Sequence, residues 1–552
     1  MFKAVLRREL VTPLRRPQML LIQIGLATVF GVLIAARWPS DGQVAMLGSR
    51  SQQIFRLFSY GLLGMLLLLL PVFPATSIVS EKKSGTLALL FNTPLGAGRI
   101  FAAKLLAVLA LAGMIIAMSL PAAGACFSMG GLSLYNEIGK VYLLLILVSL
   151  QYAAVGLLVS SFSQSVDAAI RITYGIVLGT SILTLGPHYF FQGTGGRLAE
   201  VGNWLRCLSP LAALISLTGV GDLGGQGLST KMNVMGGFTL WSLACTTVVS
   251  LWTISRLNHR IFDHSRAAGT MSDDLSTSNQ VLRRLVFLVD PQKRTRGIPS
   301  FLNPVMVKEF RSRKFGRLHW LMRLVAVCAL LSLGLTYATT AGTFDWGVET
   351  IGGIMVVMQV ALIVLIAPSL SAGILSVERE HGAWQLLMTT PLSMTRIIWG
   401  KLFSAIVPLM LVLCATMPGY LIMAYIEPGM RLQVNRVIIC LALTAVFAMS
   451  VSAAVGCFFR RSAAAMATAY AVLLAICGLP LLFWMGRDAP FGHDLVETAL
   501  TFSSIAAAFS VIEMSGFENY NLVPANWWFL SIASVASLIM LPIWTYRISR
   551  PQ

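Results

Sequence analysis

The stretch SEKKSGTLALLFNTPLGAGRIFAAKLLA, residues 80–107, is short, mixed in polarity and set between long apolar runs. It has a near copy in SVEREHGAWQLLMTTPLSMTRIIWGKLFSA, residues 376–405. Aligned on Gly85 and Gly382, the two agree at 11 of the 25 positions between Glu81 and Leu105. The shared residues are a Glu, a Gly, a Leu-Leu pair, Thr-Pro-Leu, Arg-Ile and Lys-Leu. One polar insert kept at matching places in two halves of a greasy chain marks the fold as an internal duplication.

The surroundings say what is duplicated. The 552 residues are 56% hydrophobic and 11% charged, with a mean hydropathy of +0.77. A soluble chain of this length carries roughly twice that charge. Uncharged runs such as 61–80 and 141–162 match the twenty or so residues that cross a bilayer as a helix. They are too long and continuous for the alternating strands of a membrane barrel. The sequence therefore predicts an all-α polytopic membrane protein of about twelve spans. In the first half these lie near 19–38, 57–79, 105–127, 141–162, 168–187 and 234–254. In the second they lie near 320–341, 353–375, 402–425, 435–458, 464–485 and 526–546.

The repeat extends beyond the insert. LRREL (6–10) and MVKEF (306–310) each precede a first span, and AAVG recurs at 153–156 and 453–456. Each half carries a longer segment before its last span, with a short helical stretch in it: LSPLAALISL and FSSIAAAFSV. The expected organisation is a first half at 1–254, a basic linker at 255–302 and a second half at 303–552. An even number of spans per half gives both copies the same orientation.

Charge sets that orientation. With a cytoplasmic N-terminus, 31 of the 41 Lys and Arg fall on the cytoplasmic side, as the positive-inside rule requires. The formal charge of +19 thus follows from topology, and no nucleic-acid motif accompanies it. The basic N-terminal flank leads into an apolar run too long for a signal core, so it reads as an uncleaved first span. These features point to a bacterial inner membrane with both termini cytoplasmic. Cys126 and Cys207 fall near the outer side, where two buried thiols fit better than a disulfide.

Each insert falls between the second and third spans of its half. Leu87, Leu90 and Phe91 form a short apolar stripe, matched by Trp384, Leu387 and Met388. Thr93-Pro94 and Thr390-Pro391 read as helix starts, with Thr as N-cap and Pro at the first helical position. Glu81 and Glu378 read as acids near the start of the short helices, where they suit the dipole. Contact with lipid headgroups accounts for the apolar stripe but requires no fixed sequence. A rigid protrusion repeated residue by residue suits a repeated partner.

The pattern E-x-x-x-G-x-x-x-L-L-x-x-T-P-L followed by R-I and K-L resembles the membrane subunits of type-2 ABC transporters, the ABC-2 permeases. The resemblance covers essentially the whole chain. It implies that each insert is a coupling helix that seats on an ATP-binding cassette subunit. The residues it singles out are Glu81, Gly85, Thr93, Pro94, Leu95 and Arg99, with Glu378, Gly382, Thr390, Pro391, Leu392 and Arg396. LRREL and MVKEF would be the interfacial connecting helices, with Glu9 and Glu309 matching. Family members often have an acid where Lys83 stands and a Gly where Ala103 stands, whereas the second copy has Glu380 and Gly400. That difference implies unequal binding of the partner by the two halves. The partners implied are two copies of a cassette subunit, or a heterodimer, holding ATP and Mg2+.

Absences narrow the function. The chain has no P-loop: the nearest piece, TRIIWGKLF, has Thr395 and Leu402 where a Gly and a hydroxyl belong. No catalytic constellation and no metal-binding spacing stands out, so the chain itself is expected to be neither an enzyme nor a cofactor binder. No span carries an Asp or Glu near its middle, which disfavours an ion-coupled carrier. The expected function is the permease subunit of an ABC exporter. The alternatives are an ion-coupled secondary transporter with six-span repeats and a membrane scaffold that binds an ATPase without transporting.

Overall fold

The computed structural model describes residues 2–14, 49–185, 197–218, 233–259, 303–312, 348–380, 382–426, 428–486, 492–514 and 516–549, with a few shorter pieces at 23–25, 28, 31–32, 35, 187–188, 325–330 and 333–334. Every regular element among them is a helix. Among the described residues, nine helices are long and apolar enough to cross a membrane, or ten if the bent pair His493–Leu500 and Ser504–Ile512 counts as one span. The expected first spans, 19–38 and 320–341, lie for the most part outside the described residues. The chain divides into two compact units, residues 1–261 with 478–499 and residues 262–477 with 500–552.

In the first unit, α1 (Phe2–Leu14) precedes a second span made of two pieces, α2 (Ser49–Leu69) and α3 (Val72–Ser84). The insert helix α4 (Thr86–Phe91) leads to α5 (Ala97–Ser128), α6 (Lys140–Phe162) and α7 (Val166–Leu178). Next come α8 (Arg197–Arg206), α9 (Pro210–Thr218) and α10 (Val234–His259). The expected fifth span, 168–187, begins earlier, as α7 capped by the Ser165 hydroxyl accepting from the Ala168 N–H, and continues as a π-helical stretch at Gly179–Leu183. The last span outruns its expected end at 254, and residues 260–302 of the linker lie outside the described residues.

Long apolar runs pack where side chains recur at helical spacing. Phe58, Leu62 and Leu66 of α2 meet Val108 and Ile115 of α5 and Leu144 and Val148 of α6 in one buried cluster. Apolar residues left outside face lipid: Leu240, Trp241, Val248 and Leu251 of α10 are all exposed in the protein itself.

The second unit repeats the order. It contains α11 (Pro304–Ser312), a second span in two pieces, α12 (Val348–Ser371) and α13 (Gly373–Glu380), and the insert helix α14 (Ala383–Met388). These are followed by α15 (Met394–Ile426), α16 (Arg431–Cys457), α17 (Ser462–Met485), α18 (His493–Leu500), α19 (Ser504–Ile512) and α20 (Ala525–Ser549). The end of α17 and most of α18, residues 478–499, belong to the first unit.

The expected short outer helices are α9 and α19. Each begins at a buried serine that does two jobs. The Ser209 hydroxyl accepts from the Ala212 N–H and donates to the Ser181 carbonyl at 2.7 Å. Ser503 accepts from Ala506 and donates to Cys477 at 2.9 Å. The helix start is thereby satisfied inside an apolar environment. Cys126 and Cys207 are both buried free thiols.

Candidate functional site

The inserts begin at a forced turn. Gly85 and Gly382 lie in the left-handed region, at φ 73° and 72°, where an L side chain is costly. Each ends the lower piece of its second span and starts the insert helix at an angle set by one residue. Leu87 and Leu90 are buried, Leu87 against Leu157 and Leu257, and Leu90 against Leu95 and Ile100. In the second copy Trp384 is buried and Leu387 half-buried.

The insert's far end differs from the sequence expectation. Thr93 and Thr390 do not cap the next helix. Each hydroxyl instead reaches back and donates to the carbonyl three residues earlier, Leu90 and Leu387, at 2.6 Å in both copies. That closes the insert helix. The third span starts later, at Ala97 after an extended Gly96 in the first copy, and at Met394 after Ser393 in the second. Thr-Pro-Leu is thus the connector between two helices. Its Pro94 and Pro391 are exposed, while Leu95 turns inward. Arg99 and Arg396 are exposed.

The glutamates also sit elsewhere than expected. Glu81 and Glu378 lie in the last turns of α3 and α13, ahead of Gly85 and Gly382, and so cannot serve the dipole of the helices that follow. Both face inward onto a buried lysine. In the first unit Lys104 of α5 places its ammonium 3.0 Å from Glu81 Oε2 and 3.3 Å from Glu9 Oε1. It also donates to the Ser77 hydroxyl at 3.0 Å. Arg8 pairs with both carboxylates from the outside. In the second unit Lys401 of α15 lies 2.9 Å from both Glu309 and Glu378, with Lys308 beside Glu378 at 3.7 Å. The two lysines are each 1% exposed.

Each clamp ties together three elements: the connecting helix α1 or α11, the lower end of the second span, and the start of the third. Burial by itself would raise the Glu9 carboxyl, but the Lys104 charge and the Arg8 hydrogen bond and charge outweigh it and hold Glu9 below its ordinary value. The shared Lys of the motif is the centre of both clamps, and reading the sequence left it without a role. Its signal was a lone cation early in an apolar helix, at the same place in both copies.

The differences between the copies are met inside the protein. Glu380, at the position of Lys83, accepts from the Ser462 N–H at 3.0 Å and its hydroxyl at 2.7 Å, and so caps α17. Gly400, at the position of Ala103, leaves room for Asn303, whose side chain would lie 2.6 Å from an added Cβ. The Asn303 amide donates to the Arg396 carbonyl at 2.6 Å, and its oxygen accepts from the Val305 N–H at the start of α11.

What remains for a partner is the outward face of the insert. Within the shared Leu-Leu pair, the second Leu turns inward and the first does not: Leu89 is 67% exposed and Leu386 is 71% exposed. Around them lie Ala88, Asn92 and Pro94 in one copy and Gln385, Thr389 and Pro391 in the other, all exposed. Among the described residues no three His, Cys, Asp or Glu side chains converge as a metal ion would require.

A family model described as ABC-2 family transporter protein matches the chain twice in tandem, over residues 23–257 and 261–548. A search of curated proteins finds no match. The duplicated helices, the duplicated insert and the tandem match lead to one assignment: this multi-pass membrane protein is an ABC transporter permease subunit and belongs to the ABC-2 transporter family.

Proposed function

We propose that the chain is the path-forming subunit of an ABC exporter in which its two inserts seat on two ATP-binding cassette subunits. The two halves, 1–254 and 303–552, are the two half-permeases, joined by the basic linker. The inserts, both termini and the linker face the cytoplasm of a bacterial cell, in line with the distribution of Lys and Arg. ATP and Mg2+ are held by the cassettes, which close on nucleotide and press the inserts. The clamps of Lys104 and Lys401 carry that push into the second and third spans. Glu81 and Glu378 take part as members of the clamps, and Gly85, Gly382, Thr93, Thr390, Pro94, Pro391, Leu95 and Leu392 shape the insert. Arg99 and Arg396 border its exposed face.

The observation that supports this reading best is the same leucine left exposed on the same rigid helix in both copies. An apolar side chain held out by a braced turn suits a protein groove, where burying a leucine contributes about 1.5–3 kcal/mol. The test is co-purification of the full chain with a co-expressed cassette subunit, comparing wild type with Leu89→Asp plus Leu386→Asp. The expected result is a folded permease that loses the cassette and ATP-driven transport. Retention of the cassette at wild-type level by the double variant would refute docking at this face. Transport that persists without any cassette and follows an ion gradient would favour a secondary carrier.

A further inference from the structure

The second span is built in two pieces in both halves, and three separate features repeat at the break or within two turns of it. Pro71 lies between α2 and α3, and Pro368, its counterpart, lies one turn before the break at Ala372 between α12 and α13. Proline removes a main-chain donor and loosens the helix around it. Second, a buried tyrosine of the fifth span donates to a main-chain oxygen three residues before each proline. Tyr174 bonds the Leu68 carbonyl, and Tyr470 bonds the Leu365 carbonyl at 2.7 Å. Third, the glycine of each AAVG presses on the segment just below. A Cβ on Gly156 would lie 2.6 Å from the Pro74 ring, and one on Gly456 would lie 2.1 Å from the Ala372 carbonyl oxygen.

The lower piece is gripped again further down. The Ser160 hydroxyl of the fourth span accepts from the Ile78 and Val79 N–H groups, each at 3.0 Å. In the second unit the grip has other chemistry: Arg379 donates to the Cys457 carbonyl at 3.2 Å, and Glu380 caps α17. The fourth span packs on both pieces, but only the lower piece is tied to the lysine clamp and, through Ser160 or through Arg379 and Glu380, held by these polar contacts. Above the junction, within two turns, a tyrosine hydroxyl from the fifth span reaches the backbone of the upper piece.

We propose that the second span of each half is a two-piece lever hinged at Pro71 and Pro368, with Tyr174 and Tyr470 as positioning residues that set its angle. Gly156 and Gly456 form the bearing on which the lower piece turns. A backbone in hydrocarbon cannot leave its polar groups bare. A tyrosine hydroxyl bonded to a carbonyl within two turns of the break supports one bend angle, and its loss lets others be populated. The role in transport rests on the reading of the inserts as the docking elements, because the lower piece ends at Gly85 or Gly382 and continues into them.

The hinge is tested without any cassette. Spin labels on genetically encoded ketone residues at positions 52 and 84, the exposed far ends of the two pieces, report their separation in the full chain in lipid nanodiscs. Wild type is expected to show one dominant distance. Tyr174→Phe, which removes only the hydroxyl, is expected to add a second population, and Pro71→Ala to shift the dominant distance to a longer, straighter value. An unchanged distribution in a folded Tyr174→Phe protein overturns the proposal. If that variant does not fold, an unchanged distance in Pro71→Ala overturns it instead. The functional arm uses Tyr174→Phe plus Tyr470→Phe with a cassette subunit: binding stays at wild-type level while transport per ATP hydrolysed falls. Loss of coupling with intact binding supports the lever, and unchanged coupling removes its role in transport. Failure of wild type to bind a cassette counts against the docking reading and leaves the distances to decide the hinge.

Discussion

A lysine buried between two carboxylates stabilises a fold only when its protons and their oxygens are matched. Lys104 donates to Glu9 and Ser77 and pairs with Glu81 by charge, whereas Lys401 donates to both carboxylates, Glu309 and Glu378. At the place of Ser77 the second copy has the buried Ile374. Removing the Lys401 ammonium leaves two carboxylates facing each other with the exposed Lys308 beside Glu378, so Lys401→Met should cost about 3–5 kcal/mol. Arg8 still pairs with both Glu9 and Glu81, so Lys104→Met should cost less. Thermal unfolding of the purified chain in detergent measures both, and a loss below 1 kcal/mol for Lys401→Met would show that water reaches the cluster. The pH dependence has a definite sign. Glu9 is held below its ordinary value, so its contribution is complete above the unfolded glutamate pKa of about 4.3 and is lost as pH falls through the lower folded value. Unfolding temperature followed downward from pH 7 should drop steeply below about pH 4 in wild type. Glu9→Gln should start lower and show a shallower drop.

At the scale of the element, the insert is a six-residue helix braced at both ends, by a left-handed glycine and by a threonine that closes its last turn. The space beside Gly85 and Gly382 is open to an added Cβ, so an alanine there costs backbone strain alone. Gly85→Ala and Gly382→Ala should each destabilise by about 1–2 kcal/mol. Hydrogen exchange should rise in the insert and at the start of the third span. Protection that stays unchanged would mean the turn does not depend on its glycine. The existence and place of the insert were legible in the sequence, because repetition preserved its glycine, its Leu-Leu pair and its Thr-Pro. Two details were not. Thr before Pro carries the signature of a helix start, and only the fold shows that its hydroxyl finds a carbonyl behind it. Glu81 and Glu378 read as helix-dipole acids because their true partners, Lys104 and Lys401, lie 23 residues away in the sequence and come close only through tertiary packing.

For the whole molecule, the duplication explains why one chain carries two clamps, two inserts and two broken second spans. Each copy solves its local differences with its own residues: Glu380 caps a helix where Lys83 stands in the first half, and Gly353 lies against Met514 where Arg56 donates to the Thr218 carbonyl. Gly400 is buried, Glu380 is exposed but already bonded to Ser462, and the exposed leucine is the same in both copies. The proposed docking therefore treats the inserts as two equivalent sites on one chain. A cassette pair that binds as a pair would gain from both at once, since the second contact forms at high effective concentration. Leu89→Asp alone or Leu386→Asp alone should then lower the affinity of the pair by about a hundredfold, and by similar amounts. Titration of nanodisc-embedded permease with the cassette subunit, with and without nucleotide, measures both numbers. Cassettes that bind singly would show half the sites lost and the other half unchanged. Unequal losses would return the asymmetry to the docking face and move the search to residues around Leu89 and Leu386 that differ between the copies, beginning with Ala88 and Gln385.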